Sequence, residues 1–160
     1  MIGWHDFFIA TAGASAALSG LIFVSVSINL SRILAVPSLP SRALISLMLL
    51  LTILIYSLLL LVPSESLDSI AIEILLVGLI SWTAISRVDY DIFKTKEKQY
   101  RNVYLLHMSL NQVAILPYFV CGFYLFNGNA SGLYWLVASV IFSFLKASLD
   151  AWVLLIEINR

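Results

Sequence analysis

A lysine and an aspartate interrupt the last apolar stretch of this chain. Lys146 and Asp150 lie one helical turn apart in the segment SFLKASLDAW, with long apolar runs before and after it. A charge near the bilayer centre costs at least about 2.5–3.5 kcal/mol, and such residues usually mark ion pathways or proton relays. At 100° per residue, other polar residues of this stretch fall with them in an arc of about 60°. The stripe contains Ser139, Ser143, Lys146, Asp150 and Glu157.

The preceding apolar stretch carries a second polar face. His107 and Asn111 share one side of the predicted helix with Tyr104, Tyr118 and Gly122. If the two helices are antiparallel neighbours, Asn111 and Lys146 both lie about 12–15 Å from the same membrane surface, and His107 lies level with Asp150. Together these residues predict a polar lane: Lys146, Asp150, Asn111, His107, Ser143 and Ser139.

Two interpretations of the polar lane remain open at this point. The lane could be an ion or proton pathway, with Glu73 and Asp6 near a possible outer mouth. Alternatively, Lys146 and Asp150 neutralise each other and hold the helices together as interhelical glue.

Most other chemistry is not expected. The chain has no nucleophile-elbow, Walker or kinase motif, and its single Cys121 excludes an intrachain disulfide and a cysteine-based zinc site. His5 and His107 are predicted at opposite membrane faces, so they cannot share a metal or a haem within one subunit. Nine basic residues balance nine acidic ones, which argues against a nucleic-acid partner. We therefore expect no enzyme, no cofactor and no bound metal.

The composition identifies the elements that position the lane. The chain is 61% hydrophobic and only 11% charged, with a mean hydropathy of +1.00, whereas a soluble domain is about a quarter charged. A membrane-spanning helix needs about 20 apolar residues. The sequence predicts an all-α transmembrane bundle of five helices in a single domain, with spans at 7–30, 43–62, 67–86, 103–126 and 132–156.

The charges predict the orientation of this bundle. Apart from Lys146, every lysine and arginine falls on one side of the five-span arrangement. Under the positive-inside rule, the N-terminus is outside and the C-terminus is cytoplasmic. A hydrophilic cytoplasmic loop is expected at 87–102, and its basic residues are Arg87, Lys94, Lys96, Lys98 and Arg101.

The first span is rich in small residues. They recur every four positions on two faces of the helix, which allows close contact between helix backbones in lipid. We therefore expect this helix at the centre of the bundle or at a subunit interface of a homo-oligomer. The packing faces consist of Ala12, Ala16 and Gly20, and of Gly13 and Ala17.

Residues 4–34, WHDFFIATAGASAALSGLIFVSVSINLSRIL, resemble the start of a family of small, uncharacterised bacterial polytopic membrane proteins. Some members of that family are labelled as modulators of a membrane-bound AAA protease. The resemblance implies a location in the bacterial inner (plasma) membrane, and it supplies no catalytic residue.

The sequence thus favours a small oligomeric ion- or proton-conducting channel with its polar lane around Lys146 and Asp150. The alternative is a non-catalytic membrane module that binds or regulates a partner membrane protein such as a protease, with the basic loop as its docking surface. The lysines and arginines of that loop could also simply set the topology and touch anionic lipid.

Overall fold

A computed structural model describes residues 3–36, 39–63, 66–95 and 101–158; the side chains of residues 95, 154, 155, 157 and 158 are not described. The described residues form helices and turns, with no strand among them. In chain order the helices are α1 (His5–Ile28), α2 (Leu30–Ala35), α3 (Leu39–Leu59), α4 (Leu67–Thr95), α5 (Arg101–Phe126) and α6 (Leu133–Ile158), with a 3-10 turn at Ala130–Gly132 before α6.

Within the described residues, five helices are long and apolar enough to cross a membrane: α1, α3, α4, α5 and the segment Ala130–Val153, which includes most of α6. This confirms the predicted all-helical bundle with five candidate spans. Their lengths of 21 to 28 residues match the thickness of a bilayer core. Large apolar side chains also cover much of the outer surface of the bundle, as expected where lipid replaces water.

Four helices form the centre of the molecule. α3 packs against α4 and α6, and α5 packs against the same two helices, so that α3, α4, α5 and α6 close a ring. Its interior is filled by apolar side chains with no exposed surface, including Ile53, Ile85 and Ile115. The polar residues described below are embedded in this otherwise apolar ring.

α1 lies outside this ring, packed mainly on α3, where the hydroxyls of Thr11 and Ser57 are 2.8 Å apart. An apolar crevice of about 310 Å³ lies between α1 and α6. The expectation that the first helix is central is therefore wrong for the single subunit. Its small residues do not pack inside the chain: Gly13, Ala16, Ala17 and Gly20 are exposed, and Ala12 is half-buried.

The predicted loop at 87–102 is also corrected. Residues 87–95 continue α4, and α5 already begins at Arg101. The buried positions Ile85, Asp89 and Ile92 maintain helical spacing beyond the predicted end of the span at residue 86. The prediction of a loop was wrong because the density of charged residues in this segment is typical of a loop, whereas the spacing of its buried residues is that of a helix.

Candidate functional site

Charged and polar side chains from α3, α4, α5 and α6 meet inside the ring. All of them lie towards the same end of the bundle, in the first half of α3 and α5 and the second half of α4 and α6. We call this group the charged cluster, and it consists of Arg42, Ser46, Asp89, His107, Asn111, Lys146 and Asp150.

The centre of the charged cluster is an ion pair on α6. The Lys146 ammonium group donates a hydrogen bond to Asp150 Oδ2, and the two side chains are only 5% and 3% exposed. Ser46 Oγ of α3 also approaches Asp150 Oδ2, at 3.5 Å. Since an unpaired charge in an apolar interior is very costly, removing one of these two groups would leave the other without its partner.

His107 connects this ion pair to α3. Its Nδ1 atom lies 3.8 Å from Asp150 Oδ1, and its Nε2 atom lies 3.0 Å from a terminal nitrogen of Arg42. The guanidinium of Arg42 in turn lies over the ring of Tyr104, 6.0 Å from its centroid. His107 retains 26% of its side-chain surface, so the cluster reaches the surface of the bundle at this point.

Asp89 is the second buried carboxylate of the cluster. Asn111 Nδ2 donates to both of its carboxylate oxygens at 3.0 Å, and both residues are almost fully buried. Lys146 and Asp150 lie within electrostatic range of Asp89. With neutral His107, the cations Arg42 and Lys146 balance the two aspartates.

Asp89 and Arg42 were missed as site residues by the sequence interpretation. The predicted loop at 87–102 includes Asp89, and the charge pattern treats Arg42 only as a determinant of topology. The apolar spacing of Ile85 and Ile92 around Asp89 is the signal that indicates a buried position for it. No comparable signal identifies Arg42, because a basic residue at the start of a span is common.

The serines of the predicted lane continue from the cluster towards the middle of the bundle. Ser139 and Ser143 have no exposed surface, and within the described residues their hydroxyls have no hydrogen-bond partner. Tyr118 lies beside Ser143, and its ring packs on Tyr56 with centroids 4.3 Å apart. The Tyr56 hydroxyl donates to the backbone carbonyl of Ile74 at 2.9 Å.

The residues of the predicted outer mouth lie elsewhere. Asp6 is fully exposed at the start of α1, and its carboxylate is 3.8 Å from Nδ1 of the adjacent His5. Glu73 is half-buried near the start of α4, at the opposite end from the charged cluster. An outer mouth at these residues remains a prediction.

The basic residues assigned to the loop lie partly outside the described residues. Lys96 and Lys98 fall there, whereas Arg87 and Lys94 are exposed on α4. Arg101 begins α5, and its guanidinium lies 4.5 Å from the ring centroid of Phe93. These arginines and Lys94 lie at the same end of the bundle as the charged cluster.

Comparison with known proteins adds no assignment: no family model, no curated protein and no solved structure matches the chain.

Proposed function

We propose that this chain is a small integral membrane protein that conducts protons, with the charged cluster as its proton-binding centre. The observation that carries the proposal is the buried network of two aspartates, a lysine and a histidine, which reaches the surface at one end of the bundle through His107. The network lies on three helices, α4, α5 and α6, and Arg42 and Ser46 connect it to α3.

The cost of the network supports a function beyond holding the helices together. Replacing a buried ion pair by apolar residues of similar size is often neutral or stabilising, so stability alone is a weak reason to keep one. Polar contacts between membrane helices contribute only about 0.6 kcal/mol on average. Ionisable residues within membrane spans, by contrast, usually mark ion pathways or proton relays.

The chemistry of the cluster favours protons as the conducted species. Imidazole, carboxylate and amine groups all exchange protons, and His107 lies between the half-buried Arg42 and the buried Asp150. The hydroxyls of Ser143, Ser139 and Tyr118 extend the series of exchangeable groups towards Tyr56. Each of these hydroxyls can donate and accept a hydrogen bond, but among the described residues none is bonded to the next, so bridging water is needed to complete a relay.

Location and assembly are part of the same proposal. The excess of basic residues at the cluster end supports a cytoplasmic position for that end. The exposed small residues of α1 offer a close-packing face to a second copy, because Cβ atoms added at Gly13 and Gly20 would meet nothing within 4 Å. Mass measurement of the protein in nanodiscs tests whether it is a homo-oligomer, and a monomeric mass would contradict this part of the proposal.

Proton flux into proteoliposomes tests the function. A potassium diffusion potential drives protons inward, and an enclosed pH-sensitive dye reports their entry. We expect flux with the wild-type protein and a loss of about tenfold or more in Lys146→Met/Asp150→Leu, because the double change removes the ionisable pair and leaves no unpaired charge.

The matched control is Thr52→Val/Ser81→Ala. It removes another polar contact between α3 and α4, a 2.9 Å hydrogen bond between hydroxyls that is not part of the charged cluster. Its flux should equal that of the wild type at the same reconstitution level. Absence of flux from folded wild-type protein, or equal flux in all three proteins, would overturn the proposal and leave the ion pair as interhelical glue.

A further inference from the structure

The contact between Arg42 and His107 determines which nitrogen of the imidazole carries the proton. A guanidinium group has only hydrogen-bond donors, so His107 Nε2 must accept at their 3.0 Å contact. A neutral imidazole that accepts at Nε2 carries its hydrogen on Nδ1. That hydrogen faces Asp150 Oδ1, 3.8 Å from Nδ1.

The two nitrogens of His107 are covered differently, Nδ1 by burial and Nε2 by the Arg42 guanidinium. Nδ1 is buried, so a proton from water cannot reach it directly. Nε2 lies on the side of Arg42, which is half-buried in the first turn of α3. A proton that enters the cluster through His107 must therefore bind at Nε2, the atom that Arg42 occupies.

We propose that Arg42 is a gating residue for the proton pathway, which rests on the function proposed above. When the guanidinium leaves Nε2, a hydronium ion transfers a proton to Nε2 and becomes water. The imidazole and the carboxylate then close the 3.8 Å gap between Nδ1 and Asp150 Oδ1 to hydrogen-bond distance, the Nδ1–H bond breaks and its proton passes to Oδ1. The imidazole remains neutral with its hydrogen on Nε2, and Asp150 becomes a neutral carboxylic acid.

The surroundings of His107 support this sequence of steps. Asp150 and Lys146 face His107 from α6, and Arg42 faces it from α3. Asp89 of α4 is hydrogen-bonded to Asn111, which lies one turn after His107 on α5. The Arg42 guanidinium that contacts His107 also lies 6.0 Å from the ring centroid of Tyr104, so a cation–π interaction remains available to it when it leaves Nε2.

Nitrogen NMR of a single labelled histidine tests the gate without measuring conduction. The chain has two histidines, so His5→Gln leaves His107 as the only reporter in protein reconstituted in liposomes. In this background we expect Nε2 to be unprotonated and Nδ1 to carry hydrogen at neutral pH. Arg42→Met should increase the fraction of His107 that carries hydrogen on Nε2 by about threefold or more.

Two further variants separate the gate from a general effect of charge or folding. Arg42→Lys retains a cationic donor, so it should keep the hydrogen on Nδ1. Arg87→Met removes an exposed positive charge at the same end of the bundle and should leave the His107 spectrum unchanged. Two results would overturn the assignment of Arg42 as the gate. One is hydrogen on Nε2 of His107 in the protein with native Arg42, and the other is equal spectra for Arg42→Met and Arg87→Met.

Flux measurements distinguish the failure of this inference from the failure of the proposed function. If Arg42 is the gate, Arg42→Met should conduct protons about threefold faster than the wild type at neutral pH, whereas Arg87→Met should not. Wild-type flux that does not respond to Arg42→Met overturns the gate and leaves the proposed function intact. Absence of flux from every folded protein overturns the function and with it the gate, even where the NMR result confirms the position of the hydrogen.

Discussion

At the scale of single residues, the charged cluster is stabilised by the pairing of each buried ionic group. Asp89 receives two hydrogen bonds from Asn111, and Asp150 is paired with Lys146. The amide of Asn111 carries no charge, so it satisfies the carboxylate without adding a cation that would unbalance the cluster. This arrangement explains how two carboxylates can remain close together in an apolar interior.

Removing Asn111 should therefore leave Asp89 buried and poorly paired. We expect Asn111→Leu to lower the free energy of unfolding by about 1–3 kcal/mol, the usual cost of an unsatisfied buried polar group. Denaturation in mixed detergent micelles, followed by circular dichroism, measures this change.

The next residue on α5 provides the control for this prediction. Gln112 bonds to Trp82 and Ser86 on a less buried face, so Gln112→Leu should cost less. Asp89→Leu/Asn111→Leu should be more stable than Asn111→Leu alone, since no unpaired carboxylate remains. A cost for Asn111→Leu no greater than that for Gln112→Leu would show that the contact contributes little.

At the scale of elements, close approach of backbones determines how α5 and α6 meet. A Cβ atom added at Gly132 would lie 2.8 Å from the carbonyl oxygen of Cys121 and 2.8 Å from Cβ of Tyr124. The turn before α6 therefore rests directly on the backbone of α5, and only glycine leaves room for this contact. Because α6 carries Lys146 and Asp150, this contact also helps to position the charged cluster.

Gly132→Ala should force the start of α6 away from α5. We expect a loss of about 1–3 kcal/mol of stability, as for other overpacked positions. Gly13→Ala is the matched change on α1, where an added Cβ meets nothing within 4 Å. In protein diluted to the monomer in detergent, where no second copy packs on α1, it should be neutral or stabilising by up to about 1 kcal/mol, because alanine favours helix. Thermal unfolding in detergent compares the two variants. Equal melting temperatures would contradict the inference that α5 and α6 meet too closely at Gly132 for a side chain.

At the scale of the whole molecule, the distribution of charge favours one orientation in the membrane. The exposed residues Arg87, Lys94 and Arg101 lie at the end of the bundle that carries the charged cluster. The turn between α5 and α6 lies at the other end and contains Asn129 but no lysine or arginine. Under the positive-inside rule this asymmetry predicts that the cluster opens towards the cytoplasm.

Cysteine labelling tests this orientation. Cys121 is the only cysteine of the chain and is buried, so Cys121→Ala provides a background without thiols. In that background, a membrane-impermeant maleimide should label Asn129→Cys in intact cells and Arg87→Cys only after permeabilisation. The reverse pattern would place the cluster end outside and invalidate the predicted topology.

The sequence by itself determined the helical class, the five candidate spans and the polar faces that contain His107, Asn111, Lys146 and Asp150. Hydropathy and helical periodicity are local properties, and a bilayer requires helices that satisfy their own backbone hydrogen bonds, so these features can be derived without tertiary contacts.

Only the tertiary structure decided which residues from different helices meet. It paired Asn111 with Asp89, placed Arg42 on His107 and left α1 outside the ring of four helices. The physical reason is that the rotation of each helix about its axis depends on the packing of all its neighbours together. Local periodicity defines a polar face, but the residue that faces it comes from another part of the chain.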